Sequence, residues 1–181
     1  MTQNVSTSKH SAKLRLMVLT GLFSALIYVF TAYLHVPTGA GYTHAGDGLI
    51  YLAASILPTP YAAAAGAIGG GLADGLSGFA VWIPATLIIK AVTATFFSNK
   101  GKKIITLRNI LAIIPSLILC VAGYSLYESI VISKGFSWAV LTAALSQTPA
   151  YVVQVTASSI LYIAAGTAFD KAGIKKLVNG N

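Results

Sequence analysis

The sequence predicts an all-α fold, a polytopic membrane protein with a compact bundle of six transmembrane helices and both termini in the cytoplasm. Of its 181 residues, 56% are hydrophobic and 9% are charged, whereas a soluble domain carries about 25% charged residues. The mean hydropathy is +0.77. A chain of this length can form about six helices of about 20 residues each, which leaves no room for a large domain outside the membrane.

The chain divides into a polar leader, one transmembrane domain and a polar tail. The leader, residues 1–13, is rich in Ser and Thr and is expected to be flexible and cytoplasmic. The apolar run that follows is longer than the core of a signal peptide, about 7–15 residues, and therefore predicts a transmembrane helix. The transmembrane domain covers residues 14–169, and the cytoplasmic tail covers residues 170–181. The six predicted helices are 14–36, 47–57, 61–79, 83–97, 110–132 and 138–169.

Helix-breaking residues determine where these segments end or bend, and small residues determine how closely they pack. Residues 37–46 combine Pro, Gly and uncharged polar residues, which predicts an irregular external loop. Pro149 is expected to bend the sixth helix. The third helix contains two pairs of glycines at the small-xxx-small spacing of helices that pack closely in lipid, so we expect it to be buried among its neighbours. These pairs are Gly66/Gly70 and Gly71/Gly75.

Positive charges fall in three clusters that predict the orientation in the membrane. Ten of the twelve Lys and Arg residues lie before the first helix, between the fourth and fifth helices, or in the tail. Cytoplasmic loops are enriched in Lys and Arg, and six spans place all three clusters on that side, whereas five spans would separate the two basic termini. Because the sequence lacks a basic patch with stacking aromatic residues, the net charge of +8 indicates topology rather than nucleic-acid binding. The clusters are Lys9, Lys13 and Arg15; Lys100, Lys102, Lys103 and Arg108; and Lys171, Lys175 and Lys176.

The sequence carries no pattern of catalytic or metal-binding residues. It has no H-E-x-x-H motif, and its three histidines are too scattered for a metal site. The single Gly-Lys pair, Gly101-Lys102, has Phe96 and Lys103 where a phosphate-binding loop needs Gly and Ser or Thr. The four acids do not form the clusters that hold magnesium in lipid-linked transferases. We therefore expect a chain that is not an enzyme, with no metal or cofactor and with ATP hydrolysis supplied by separate subunits.

Three ionisable residues lie inside predicted spans, where a charge costs about 2.5–3.5 kcal/mol and so indicates a site or a partner. Asp74 and Lys90 fall in the outer halves of the third and fourth helices. They either form an ion pair that braces the two helices or leave Lys90 to bind an anionic ligand. Glu128, near the outer end of the fifth helix, either extends towards water or accepts hydrogen bonds from N–H groups of a ligand.

Polar and aromatic residues cluster near the same outer ends. Gln147, Tyr151, Gln154 and Ser158 recur at i, i+4, i+7 and i+11, on one face of the sixth helix. They either hydrogen-bond between helices or line a ligand cavity. The aromatic residues either anchor helices at the membrane interface or complete an apolar pocket with a few polar groups, which suits flat heteroaromatic ligands. They are Tyr42, Phe79, Trp82, Tyr124, Tyr127 and Trp138.

The run GGGLADGLSG from Gly69 to Gly78, followed by AVWIPATLIIK from Ala80 to Lys90, resembles the third and fourth helices of S components of energy-coupling factor (ECF) vitamin transporters. The chain length, the six spans and the long first external loop are also similar, so the resemblance covers nearly the whole chain. It implies a high-affinity vitamin-binding subunit in the plasma membrane. It also implies three partners on separate chains, a transmembrane coupling protein and two ATPase subunits.

The resemblance further implies roles for particular residues. Small residues of the first helix, here Gly21 and Ala25, would contact the coupling protein. The ligand would be captured from outside, under the first loop, before the whole subunit topples in the membrane. The residues expected to bind it are Tyr42, His44, Trp82, Tyr124, Tyr127, Glu128, Gln147, Tyr151 and Gln154.

The ligand expected from these residues is a small heteroaromatic vitamin or precursor. Glu128 with its neighbouring Gln and Tyr residues favours a neutral aminated ring such as the hydroxymethylpyrimidine precursor of thiamin, and overall similarity favours the same branch of the family. Pyridoxine and riboflavin are alternatives, and an unpaired Lys90 would favour pantothenate or another anion. A rival of a different class is a stand-alone channel or exporter, which would transport without partners. A lipid-linked transferase would need clustered acids that the sequence lacks.

Overall fold

Helices make up most of the chain, in agreement with the predicted all-α class. The structure, a computed structural model, describes the backbone of residues 2–38 and 41–179 and the side chains of residues 10–38 and 41–178. The helices are α1 (Thr2–Ala32), α2 (Asp47–Ile56), α3 (Thr59–Leu76), α4 (Ile83–Thr95), α5 (Leu107–Leu111), α6 (Ile113–Tyr127), α7 (Trp138–Leu145), α8 (Thr148–Lys171) and α9 (Ile174–Asn179). A short 3₁₀ turn, Ala80–Trp82, precedes α4, and a π-helical turn, Glu128–Ile132, extends α6. The strands are β1 (His35–Thr38) and β2 (Gly41–His44).

Three helical stretches within the described residues are long and apolar enough to cross a membrane. They are His10–Ala32, Leu107–Ile132 and Thr148–Lys171, and two shorter apolar stretches, Asp47–Ile56 and Ala80–Thr95, accompany them. Exposed apolar side chains line the outside of the long stretches, as in a protein surrounded by lipid. The structure therefore agrees with a helical membrane protein, while the count of six crossings stays a prediction.

The first external loop differs from the irregular segment predicted for residues 37–46. It contains an antiparallel hairpin in which His35 pairs with His44 and Val36 pairs with Thr43. The β-branched and aromatic residues in both arms favour extended strands, and pairing the two arms satisfies their backbone hydrogen-bonding groups. The prediction of irregular structure was wrong because the strand-forming residues Val36, Thr38, Tyr42 and Thr43 outweigh the breakers Pro37 and Gly41 in these arms.

Two helix boundaries also differ from the predictions. Helix α1 begins at Thr2, so the predicted leader continues the first helix, and no Gly or Pro before Gly21 interrupts it. The predicted sixth helix is divided into α7 and α8, with Pro149 in the first turn of α8. The division lies where the bend was predicted, because Pro lacks the N–H that a continuous helix would use.

Helix α3 packs closely against α4 through its glycines, as predicted. A Cβ atom on Gly66, Gly70, Gly71 or Gly75 would lie 2.9–3.3 Å from atoms of α4. Every residue of α2 is buried, so α2 occupies the centre of the bundle, against α1, α3, α4 and α8. This close packing brings the polar residues of four helices to one region.

At Gly48, helix α2 approaches the backbone of α8 very closely, and a substitution there tests this packing. A Cβ on Gly48 would collide with the backbone carbonyl oxygen of Ser158 and lie 3.1 Å from its carbon. We expect Gly48→Ala to destabilise the protein by about 1–3 kcal/mol, because a backbone carbonyl cannot rotate away. Gly21→Ala is the matched control, since its Cβ would meet nothing within 4 Å. Thermal unfolding in detergent measures both, and equal unfolding temperatures would contradict the packing of α2 on α8.

At the end of the bundle opposite the hairpin, the segment between α4 and α5 meets the C-terminal part of α8 and α9. Both carboxylate oxygens of Asp170 accept backbone N–H groups, from Ile104 at 2.7 Å and from Ile105 at 3.0 Å. Lys175 Nζ donates to the carbonyl of Lys103 at 3.2 Å. Arg15 Nη1 donates to the carbonyl of Leu177 at 3.4 Å, so residues of all three positively charged clusters lie at this end. We call it the basic end; it comprises residues 98–109 and 167–178 with the neighbouring turns of α1.

Candidate functional site

A cavity with a volume of about 60 Å³ lies between the hairpin and the inner faces of the helices, at the end opposite the basic end. Helix α8 runs from the cavity to the basic end over 24 residues, about 36 Å at 1.5 Å per residue. The cavity is lined by Thr31, Thr38, Gly41, Tyr42, Thr43, His44, Gly70, Asp74, Trp82, Thr86, Lys90, Tyr124, Gln147, Ala150, Tyr151 and Gln154.

A buried ion pair lies at the floor of the cavity. Lys90 Nζ is 2.7 Å from Asp47 Oδ1, and the two side chains are 2% and 1% exposed. Gln154 Nε2 donates to the other carboxylate oxygen of Asp47 at 2.8 Å. The predicted pairing of Lys90 with Asp74 is therefore wrong, because central helix α2 presents Asp47 at its first turn to both α4 and α8.

Asp74 instead holds the hairpin. The hydroxyl of Tyr42 donates to Asp74 Oδ1 at 2.6 Å. Thr43 Oγ1 donates to the backbone carbonyl of Ala150 at 3.1 Å. These two bonds attach β2 to α3 and to α8, so the hairpin covers the cavity.

Aromatic rings form one wall. Tyr124 and Tyr151 are nearly parallel, with centroids 6.0 Å apart and an angle of 3° between the rings. Trp82 meets Tyr124 edge on, at 5.8 Å and 70°. The hydroxyl of Tyr124 is 3.0 Å from Thr86 Oγ1, which fixes its ring. A rigid aromatic wall of this kind suits the face of a flat ring.

The structure brings together most of the residues predicted to bind ligand. Seven of the nine line the cavity, and Asp74 and Lys90 join them. Tyr127 and Glu128 do not. The hydroxyl of Tyr127 donates to the carbonyl of Val81 at 2.8 Å, and Glu128 lies at the rim, where Gln147 Nε2 is 3.5 Å from its carboxylate. The seven are Tyr42, His44, Trp82, Tyr124, Gln147, Tyr151 and Gln154.

Sequence reasoning missed Asp47 and four threonines of the cavity wall. Asp47 begins an otherwise apolar helix, and the structure buries every residue of that helix. In the sequence, an acid next to an apolar segment was a detectable sign that the carboxylate has a partner. Single threonines in apolar segments give no comparable signal, because their hydroxyls commonly bond to their own helix. The four are Thr31, Thr38, Thr43 and Thr86.

Two acids and one lysine lie at the cavity. Asp47 and Lys90 neutralise each other, while Asp74 is paired only with neutral groups. His44 Nδ1 accepts a hydrogen bond from the backbone N–H of Gly46 at 3.1 Å, which keeps the ring neutral with its proton on Nε2. The cavity therefore favours a neutral ligand that donates hydrogen bonds over an anionic ligand.

His44 predicts a dependence of stability on pH. Burial lowers its pKa to about 4, from about 6.5 in an unfolded chain. Below about pH 6.5 the unfolded chain takes up a proton that the folded protein does not, so stability is full above this pH. It falls by up to about 3 kcal/mol as the pH approaches 4.

Unfolding temperatures at about pH 7.5 and about pH 4.5 for the unmodified protein and His44→Asn measure this contribution. Asparagine retains an acceptor near the Nδ1 position without a titrating ring. We expect His44→Asn to lose less stability in acid than the unmodified protein, and the exposed-site control His10→Asn to behave like the unmodified protein. A stability difference between the unmodified protein and His44→Asn that stays constant with pH would contradict the buried neutral ring.

Within the described part of the chain, no three His, Cys, Asp or Glu residues are grouped around a common point. The predicted coupling residues lie elsewhere, since Gly21 and Ala25 are exposed on the outer face of α1.

Two comparisons with known proteins bear on this site. A family model described as "ECF-type riboflavin transporter, S component" matches residues 11–171, nearly the whole chain. No curated protein matches the chain significantly.

Proposed function

The chain belongs to the family of S components of ECF-type riboflavin transporters, and from this premise we propose that it binds a small, neutral, amino-bearing heteroaromatic of the hydroxymethylpyrimidine type. The family makes it a vitamin-binding membrane subunit of an ECF transporter rather than an enzyme. The ligand class rests on one observation, that the charge of Lys90 is cancelled by Asp47 while the carboxyl group of Asp74 borders the cavity, bonded to the hydroxyl of Tyr42.

Two acceptors in the cavity suit the amino and ring N–H groups of such a ligand. The carboxylate of Asp74 retains acceptor capacity beyond its bond from Tyr42, since a carboxylate has about four lone-pair sites. Gln154 uses Nε2 on Asp47, which leaves its carbonyl oxygen as the acceptor. Tyr124 and Tyr151 supply the aromatic surface. Pantothenate, an anion, would find Lys90 already paired and Asp74 repulsive.

Riboflavin is the second candidate because the matching family is described by that vitamin. A cavity of about 60 Å³ holds a few water molecules, at about 10–15 Å³ each. A single ring requires a smaller outward movement of the hairpin than the three fused rings and sugar chain of riboflavin. The bonds that Tyr42 and Thr43 make to α3 and α8 are the ones that such a movement breaks.

The coupling protein and two ATPases are the proposed partners. Gly21 and Ala25 are exposed on α1, and space is open above Gly21, so a partner helix can approach closely there. The convergence of α1, residues 98–109 and α9 at the basic end supports an even number of crossings. Both termini are then cytoplasmic, in the plasma membrane, and the hairpin is external.

A ligand panel tests the proposal. The detergent-purified chain is titrated with hydroxymethylpyrimidine, pyridoxine, riboflavin and pantothenate, and thermal shift and calorimetry are recorded. Hydroxymethylpyrimidine is expected to bind below micromolar concentration and to stabilise the protein by about 2.7 kcal/mol at a hundredfold excess over Kd. If only riboflavin bound tightly, the proposed ligand class would be wrong, and riboflavin would be the ligand. Binding of none, with flux through vesicles containing this chain alone, would favour a channel or exporter.

A further inference from the structure

A groove at the basic end is formed where residues 103–105 pass the C-terminal end of α8. It has a volume of about 470 Å³ and is lined by Lys103, Ile105, Thr167, Asp170 and Lys171. The backbone around it is fixed, because Asp170 accepts the N–H groups of Ile104 and Ile105 and Lys175 Nζ donates to the carbonyl of Lys103. The groove is therefore a feature of the fold rather than of a loose loop.

The groove presents unpaired positive charge. Lys103 and Lys171 are exposed, and neither ammonium group pairs with another residue in the described part of the chain. The one acid in the groove, Asp170, already engages both oxygens with backbone N–H groups. Two ammonium groups beside the hydroxyl of Thr167 form an arrangement that suits a phosphate group.

An apolar face leads along α8 into the same groove. Ile160 and Ile163 are 66% and 42% exposed, and with Thr167 and Lys171 they follow at intervals of three, four and four residues, which places all four on one face. Exposed isoleucines on a helix long enough to span a membrane face lipid chains. A molecule that fits the face and the groove together has an apolar tail and an anionic head.

We propose that this groove binds the headgroup of an anionic phospholipid. The phosphate lies between the ammonium groups of Lys103 and Lys171 with the hydroxyl of Thr167 as a further donor, and an acyl chain follows Ile163 and Ile160. Basic pockets between transmembrane helices on the cytoplasmic side bind anionic headgroups. This site is independent of the vitamin cavity, which lies at the other end of α8.

Phosphatidylglycerol in nanodiscs tests the proposal. Bound phosphatidylglycerol relative to phosphatidylcholine is counted by native mass spectrometry for the full chain, for Lys103→Gln/Lys171→Gln, and for the control Lys100→Gln/Lys102→Gln. The control removes the same charge outside the groove. The groove variant loses both ammonium contacts to the phosphate and is expected to lose about 25-fold in enrichment. The control loses only the general attraction of exposed charges to the anionic surface and is expected to lose much less.

The proposal would be overturned if the groove variant kept its enrichment or if the control lost as much as the groove variant. It would also be overturned if inorganic phosphate alone stabilised the protein as much as phosphatidylglycerol does, which would indicate a site for a free anion. A photoactivatable phosphatidylglycerol provides a measurement on the unmodified protein in case the groove variant does not fold. Label is expected on residues 160–171 and 103–105, and label confined to other segments would reject the site.

Discussion

Lys90→Met is expected to destabilise the protein by about 3–5 kcal/mol, because it leaves the carboxylate of Asp47 buried without its partner. The carboxylate is 1% exposed and lies 2.7 Å from the ammonium group, so water cannot replace the lost interaction. Asp47→Asn is expected to have a comparable effect by leaving the ammonium group unpaired. Each single variant should give a low yield of folded protein in detergent and an unfolding temperature well below that of the unmodified chain.

The double variant Asp47→Asn/Lys90→Met tests whether the loss of stability comes from an unpaired buried charge or from altered packing. Replacing both partners of a buried ion pair by neutral groups of similar volume is often nearly neutral, so the double variant should be more stable than either single variant. Lys100→Met, at an exposed lysine outside the groove at the basic end, controls for loss of one charge. A double variant as unstable as the sum of the single variants would contradict the ion pair, as would a Lys90→Met protein as stable as the unmodified protein.

The sequence was sufficient to predict that Asp74 and Lys90 lie close to one cavity, but not which charges pair. The cost of a charge in a span identified Asp74 and Lys90, and both border the cavity. Their pairing depends on the position of α2, which lies centrally and directs Asp47 to Lys90. No spacing in the sequence encodes which helix occupies the centre of a bundle, since that follows from packing all of the helices together.

The periodicity of the predicted sixth helix correctly indicated which face of that helix lines the cavity. It did not indicate which residues of that face lie at the cavity and which lie deeper in the bundle. Gln147, Tyr151 and Gln154 line the cavity, whereas Ser158 lies deeper, with its backbone carbonyl against Gly48. Period 3.6 fixes the direction of a side chain but not where a cavity begins or ends along the helix. Glu128 illustrates the same limit, because it lies one turn, about 5.4 Å, beyond Tyr124 and reaches only the rim.

Asp74→Asn is expected to weaken ligand binding by about 10- to 100-fold, since hydrogen bonds to charged groups contribute about 1.5–3 kcal/mol and 1.4 kcal/mol corresponds to tenfold. The substitution keeps the shape of the side chain but removes one acceptor and the negative charge, and it weakens the bond from Tyr42 that attaches the hairpin. Both effects increase the dissociation rate. For the vitamin that stabilises the protein, calorimetry should therefore show a higher Kd, and stopped-flow measurements should show a dissociation rate that is higher by a similar factor.

Glu128→Gln is the matched control, because it makes the same carboxylate-to-amide change at the rim, 3.5 Å from Gln147. We expect it to change Kd by less than about threefold, within the about 0.5 kcal/mol typical of exposed substitutions. A third variant, Tyr42→Phe, keeps Asp74 intact but removes the bond to the hairpin, so it should raise the dissociation rate without lowering the preference for amino-bearing rings. If Glu128→Gln were the damaging variant and Asp74→Asn were neutral, the ligand would lie at the rim beside Gln147, and the acceptor role proposed for Asp74 would pass to Glu128.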